Sequence, residues 1–218
     1  MQIAIDGPAG AGKSTIAKLI AKQLDFLYLD TGAMYRAVTY GVMQAGIDFD
    51  DRVEIIDFAR KCSIAFDGAK VFLNDAEVTV PIRTPEVSRN IHFIADIPEV
   101  RSVLVEMQRD IAAGTSVIMD GRDIASVVLP DADVKIYLDA GIEERAKRRQ
   151  KELFEKGIEK DLETLMADMA ARDAADQSRP VGALICVPDA DVVDTTGLDI
   201  PGVCEKIIGI IESKRAAL

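Results

Sequence analysis

Residues 7–14 read Gly-Pro-Ala-Gly-Ala-Gly-Lys-Ser and fit G-x-x-x-x-G-K-[ST] at every fixed position. The apolar run Ile3-Ala4-Ile5 precedes the motif, and from Lys13 onward Ile16, Leu19, Ile20 and Leu24 keep helical spacing. A glycine-rich turn with a chance lysine would not need that context. A strand before it and an amphipathic helix after it are what a phosphate-binding loop needs. Gly7, Gly10 and Gly12 let the backbone turn where a side chain would collide with a phosphate. The loop amides, those of Ala11 and Thr15 included, then face an anion at a helix start whose dipole favours negative charge. Lys13 supplies a full positive charge at the β and γ phosphates, and Ser14 a hydroxyl for Mg²⁺. The motif predicts a bound nucleotide. It does not say what receives a phosphate.

The remaining pattern predicts an α/β fold, a parallel sheet flanked by helices. Phe26-Leu27-Tyr28-Leu29 reads as a second buried strand and residues 33–45 as a helix. Between 63 and 80 the period changes to two. Ile64 and Phe66 alternate with Ser63 and Ala65, and Asp67-Gly68 and Asn74-Asp75 are turn signals, which predicts a small antiparallel meander. Pro98 opens a helix carrying Val100, Val103, Leu104, Met107 and Ile111, with Gly114 beyond its end. Residues 117–119 and 134–138 are short strands ending in Asp120 and Asp139. Helices at 143–156 and 161–176 are separated by Gly157. A strand at 191–194 and a closing helix with Val203, Ile207, Ile210 and Ile211 complete the chain. The expected division of this single domain is a first half of the core at 1–62, an inserted lobe at 63–97, core again at 98–142, a helical lid region at 143–176 and the core end at 177–218.

Composition removes several classes of function. With 49% apolar residues among 218, the chain can bury a sizeable core. No apolar run approaches the roughly 18 residues that span a membrane, and the first residues carry no secretory signal, so a cytoplasmic protein is expected. Cys62, Cys186 and Cys204 are too scattered for a metal site or a disulfide framework, and His92 is the only histidine. The net charge of −11 opposes binding to a nucleic-acid backbone, though not to a small anion.

Charge stands where core is expected. Leu162, Leu165, Met166 and Met169 make one helical stripe, and the same spacing continues into Arg172, Asp173 and Asp176, with Arg179 beyond. Either these pair internally, as Arg172 with Asp176, or they face a ligand. Residues 145–151 hold five basic side chains in seven, with Arg145, Arg148 and Arg149 on one face. They form either a solvated helix balanced by Glu143, Glu144 and Glu152, or a helix that closes over phosphates. Asp120-Gly121-Arg122-Asp123 and Asp30-Thr31-Gly32, with Tyr35-Arg36 after it, follow strand ends, the edge where open parallel sheets bind ligands. Asp120 is either a metal-side carboxylate or a turn residue. Arginines at both positions suggest a second anionic substrate.

The segments at 7–14, D-T-G-A-M-Y-R at 30–36, I-R-T-P-E-V at 82–87, D-G-R-D at 120–123, E-E-R-A-K-R-R at 143–149 and R-D-x-x-D-x-x-R at 172–179 together resemble the bacterial cytidylate kinases. The likeness runs from about residue 2 to the D-T-T-G at 194–197. It implies a P-loop kinase fold and phosphoryl transfer from ATP, with Mg²⁺, to CMP or dCMP. It also implies that the meander belongs to an enlarged monophosphate-binding insert. By position, Thr31 and Arg36 hold the monophosphate side, Arg101 and Asp123 meet the cytosine edge, and Arg122 the phosphate. Arg172 and Asp176 reach the sugar, Arg179 reaches the phosphates, and the helix at 143–149 belongs to the lid. His92 stands where the family often has a serine near the base, which bears on cytosine against uracil. Thr31 replaces a frequent serine.

The chemistry expected is direct in-line transfer, with Lys13, Arg122, Arg179 and the lid arginines Arg145 and Arg149 neutralising charge. Rival readings are a kinase for another small acceptor, such as UMP or shikimate, and a nucleotide-switched binding protein. A monomer is expected.

Overall fold

The computed structural model describes residues 1–155 and 157–216. The chain runs β1 (Gln2–Asp6), α1 (Lys13–Leu24), β2 (Leu27–Asp30), α2 (Thr31–Gln44) and α3 (Arg52–Lys61). A small sheet follows, β3 (Ile64–Asp67), β4 (Lys70–Leu73) and β5 (Ala76–Glu77). Helices α4 (Pro85–Ala95) and α5 (Pro98–Ala112) lead to β6 (Val117–Gly121). After one π-helical turn over Ile124–Val128 come β7 (Val134–Asp139), α6 (Ile142–Phe154), α7 (Leu162–Ser178), β8 (Asp191–Asp194) and α8 (Ile200–Arg215). The backbone forms two compact units. One holds Met1–Tyr28 and the chain from Thr115 onward, and the other holds Leu29–Gly114.

The first unit is built on the five-stranded sheet, order β2-β6-β1-β7-β8. β1 pairs in parallel with β6 and β7, and β7 in parallel with β8. Parallel strands covered by helices read as continuous apolar runs, and Ile3, Ala4 and Ile5 are fully buried. Ile16, Ala17, Ile20 and Ala21 of α1 and Val203, Ile207 and Ile211 of α8 pack into one cluster with Ile3, Ile5, Ile118, Ile136 and Leu138 of the strands. Each such large side chain stabilises the fold by about 1.5–3 kcal/mol. The register sets Ile5 beside Asp120 and Asp6 beside Tyr137, so the strands deliver acidic residues to their shared carboxyl edge. α6 and α7 pack separately on each other through Ala146, Leu165 and Met169. The stripe expected on α7 is therefore its packing face.

In the second unit, Asp30 caps α2, its side chain accepting from Ala33 N at 2.9 Å. The helix therefore begins at Thr31, two positions before the expected start. Gly41 lets α2 lie against α3 and β4, because a Cβ there would sit 2.4 Å from Phe58 Cζ and 2.8 Å from Leu73 Cδ2. The meander forms as expected, antiparallel in order β3-β4-β5. Asn74 and Asp75 both take positive φ, 48° and 65°, as a tight hairpin turn of this hand requires. β5 itself ends at Glu77, although Val78 N still donates to Val71 O of β4 at 2.8 Å, and Val80 lies beyond the strand.

Two helices went unread in the sequence. α3 starts at an Asp51 side chain that accepts from Glu54 N at 3.0 Å, and α4 at Thr84, followed by Pro85 at the first helical position. In α5 the buried face is Val100, Arg101, Leu104, Val105, Gln108 and Ala112, rotated from the expected stripe because Arg101 and Gln108 turn inward.

Candidate active site

In the first unit, Gly7, Gly10 and Gly12 take φ of 150°, 76° and 96°. The first is a matter of space as well as strain: a Cβ on Gly7 would lie 2.0 Å from Leu138 O. Gly12 is the N-cap of α1, and no side chain caps that helix start. The first-turn amides, Thr15 among them, are thus left for an anion. Lys13 is 6% exposed and its Nζ donates to Gly7 O at 2.7 Å and Pro8 O at 2.8 Å. Burial holds its ammonium well below the ordinary lysine pKa, Arg122 and Arg172 push the same way, and Asp120 and Asp6 oppose them. An anion placed at the loop would add to the counter-charge of those two carboxylates.

The Ser14 hydroxyl donates to Asp120 Oδ2 at 2.7 Å, and the Tyr28 hydroxyl to Asp120 Oδ1 at 2.7 Å. Asp120 is 4% exposed and stands within β6. A hydroxyl and one carboxylate beside a phosphate loop suit Mg²⁺, which takes few protein oxygens and completes its shell with water and phosphate. Among the described residues no cluster of three or more acidic, histidine or cysteine side chains would form an all-protein metal cage. Asp6 accepts from Ile124 N at 2.9 Å and Ala125 N at 2.7 Å, fixing the π-helical turn after β6. Burial pushes its carboxyl up to about 6, against the two amide hydrogen bonds.

The arginines gather on α7. Arg122 Nε donates to Asp176 Oδ2 at 2.7 Å, and Arg179 Nη2 to Asp176 Oδ1 at 2.9 Å. Burial alone would raise the Asp176 carboxyl, but Arg122, with Arg172 and Arg179, holds it below the usual range. Asp123 is buried, at 5% exposure, and Arg172 is exposed. Asp176 thus brings together arginines from two stretches of sequence 57 positions apart by numbering, Arg122 and Arg179.

The basic helix divides its side chains. Arg145, 6% exposed, donates from Nε to Ala140 O and from Nη1 to Ala9 O, each at 2.9 Å, and from Nη1 to Asp173 Oδ2 at 2.6 Å. Arg148 donates to Thr195 O at 2.9 Å and to Thr195 Oγ1 at 3.0 Å. Arg149 turns to Glu152 at 2.9 Å and is exposed. Arg145 and Arg149, grouped in the sequence, therefore separate: the first meets the phosphate loop, the second its own helix surface. Ala11 is buried, and its carbonyl lies 3.4 Å from Arg148 Nη1.

In the second unit, Thr31 is buried at the start of α2. Arg36 Nη1 donates to Ser88 Oγ at 2.7 Å. Arg101 is 4% exposed, donates to Ala95 O at 3.1 Å and lies over the Tyr35 ring at 5.2 Å. His92 is exposed, with Nδ1 2.7 Å from Arg89 O and its ring 4.0 Å from that of Phe93. Ser88 and Tyr28 were not singled out in the sequence, and Asp173 was marked only as a charge on the α7 stripe, without its partners. The T-P-E start of a helix at 84–86 could have revealed Ser88, whereas nothing local marks Tyr28 or the partners of Asp173.

The sequence model of the family described as cytidylate kinase matches residues 3–213. The chain belongs to the cytidylate kinase family. Its relatives in that family include a cytidylate kinase of Desulfitobacterium hafniense, 51% identical over 98% of this chain and 94% of that one. Another, of Leuconostoc mesenteroides, is 50% identical over 97% of this chain and 96% of its own. Among solved structures, a shikimate kinase from Bacteroides thetaiotaomicron aligns at a TM-score of 0.51 and 13% identity over 97% of this chain and 98% of that one. At that identity the likeness speaks for the fold, a parallel sheet flanked by helices with the phosphate loop after its first strand. No helix among the described residues is long and apolar enough to cross a membrane.

Proposed function

We propose that this protein transfers the γ-phosphoryl group of ATP to CMP or dCMP, giving ADP and CDP or dCDP. The observation that carries the reading, beside family membership, is the cluster of Arg122, Arg172 and Arg179 around Asp176, two of whose arginines act electrostatically on Lys13. Three guanidinium groups converge on that carboxylate, beside a loop already made for phosphate. Such a gathering of arginines suits a second phosphorylated ligand rather than water as the acceptor.

In this reading Gly7, Gly10, Ala11, Gly12, Lys13, Ser14 and Thr15 hold the triphosphate. Lys13 exchanges its bonds to Gly7 O and Pro8 O for phosphate oxygens. Ser14 and Asp120 would hold Mg²⁺, which would supply charge shielding at the phosphates. Arg122 and Arg179 neutralise charge on the transferring group, with Arg145 shaping the loop and Arg149 drawn in only when the lid moves. Thr31 and Arg36 take the acceptor phosphate, Arg172 and Asp176 the sugar, and Arg101, Asp123 and His92 the base. The transfer is in line, without a covalent intermediate, because positioning and charge neutralisation supply most of what this chemistry needs. The protein acts as a cytoplasmic monomer; its cysteines Cys62, Cys186 and Cys204 are free, as a reducing compartment allows.

A coupled assay across CMP, dCMP, UMP, AMP and shikimate tests the reading. CMP and dCMP should turn over fastest. ATP hydrolysis that proceeds equally well with no acceptor present would overturn it in favour of a nucleotide-switched binding protein.

A further inference from the structure

The phosphate loop is gripped from outside its own motif. Asp173 accepts from Ala9 N at 3.1 Å through Oδ1 and from Arg145 Nη1 at 2.6 Å through Oδ2. Arg145 returns to the same residue, donating to Ala9 O at 2.9 Å. Both polar groups of the Ala9 residue are therefore held by one ion pair, whose members are 8% and 6% exposed. One turn earlier on α7, Met169 closes on the next loop residue: a Cβ on Gly10 would stand 2.7 Å from Met169 Cε. Met169 and Asp173 sit at i and i+4, on one side of the helix. Arg172 and Asp176 lie within a turn of Asp173, and Asp176 holds Arg122 and Arg179.

A helix moves as a rod over a single turn, so a shift that carries Asp176 carries Asp173 with it. The close packing of Met169 on Gly10 leaves the loop little room to stay behind. We propose that Asp173 is a positioning residue that couples occupation of the acceptor side to the shape of the donor loop. Acceptor contacts that settle α7 set the Ala9 peptide, and with it the amide array that receives the donor phosphates. By linkage, donor binding favours acceptor binding by the same factor. The proposal rests on the reading of Arg172 and Asp176 as acceptor residues. A merely structural Asp173 would stabilise the fold and leave the two affinities independent.

The test is a binding cycle by calorimetry in the presence of Mg²⁺. ADP and CMP serve as ligands because together they cannot react. In the wild-type protein, saturating CMP should tighten ADP binding by about fivefold or more, the lower end of common coupling. In Asp173→Asn the ratio should fall to within about twofold of one. CMP should still bind the variant alone with little change, and Asp173→Glu should recover part of the ratio. A wild-type ratio of one, or an undiminished ratio in folded Asp173→Asn, overturns the proposal. If neither variant folds at the assay temperature, wild-type amide exchange decides: CMP alone should slow exchange at Ala9, and unchanged exchange overturns the idea. A wild-type protein that phosphorylates CMP yet shows no coupling loses this inference and keeps its function. One that binds no CMP loses both.

Discussion

Ser14 and Asp120 lie 106 positions apart in the chain and share a 2.7 Å hydrogen bond, the hydroxyl donating to Oδ2. The pair joins the first turn of α1 to the carboxyl end of β6 with two hard oxygens turned to one place. Asp120→Asn keeps the shape and removes the charge. Its turnover should fall about tenfold or more, and the Mg²⁺ concentration for half-maximal rate should rise. Tyr28→Phe, which removes only the second donor to the carboxylate, should move the same midpoint less. Titration of rate and of Mg²⁺-dependent ADP affinity checks both, and an unchanged Mg²⁺ midpoint in Asp120→Asn would count against a metal role.

Lys13→Met separates activity from stability. Removing the positive charge should lower kcat about a hundredfold or more. A buried ammonium already pulled toward its neutral form contributes little to the fold. The melting temperature should therefore hold or rise. Steady-state kinetics with thermal unfolding of the ligand-free protein reads out both, and a large drop in melting temperature would show that the lysine mainly braces Gly7 and Pro8.

Gly7 and Gly46 share a positive φ but not their surroundings. A Cβ on Gly7 meets Leu138 O at 2.0 Å, while one on Gly46 meets nothing within 4 Å. Gly7→Ala should cost several kcal/mol, through displacement of β1 from β7 as well as strain, and Gly46→Ala about 1 kcal/mol. Urea unfolding of the two variants tests the difference. Equal losses would mean that the first strand yields easily.

Asp6 gives a pH dependence of known sign. Its folded pKa, about 6, exceeds the unfolded value of 3.8. The folded state therefore binds the proton more tightly. The contribution is fully present below about pH 4 and is lost as pH rises through 6, a change on the order of 3 kcal/mol. Compared with Asp6→Asn, the wild-type protein should lose unfolding free energy between pH 4.5 and pH 7.5. A difference that stays flat over that range would place the Asp6 titration elsewhere.

Local rules made much of the fold legible. The loop, the hairpin turn at Asn74-Asp75, the strand ending in Asp139 and the stripe on α7 appear where spacing and turn chemistry predict them. The first hairpin turns one residue late, over Gly68-Ala69, with Asp67 still paired to Lys70, and β6 runs one residue past Asp120 to Gly121. α3 and α4 went unread although cap residues, Asp51 and Thr84, mark their starts. The face of α5 was misjudged because an inward arginine cannot be told from an outward one by periodicity.

The sequence by itself determined the phosphate loop, the α/β class and the inventory of arginines and carboxylates, because backbone preference and hydrophobic period act over a few residues. Only the tertiary structure decided which charges meet. Arg172 and Asp176 carry the i, i+4 spacing of a pair, yet Asp176 also holds Arg122 from just past β6 and Arg179 from its own helix end. Asp173, one position from Arg172, goes instead to Arg145 and the Ala9 amide. Burial makes an unpaired charge costly wherever it occurs, but which partner relieves it depends on distances through space, and those exist only after the strands and helices have packed.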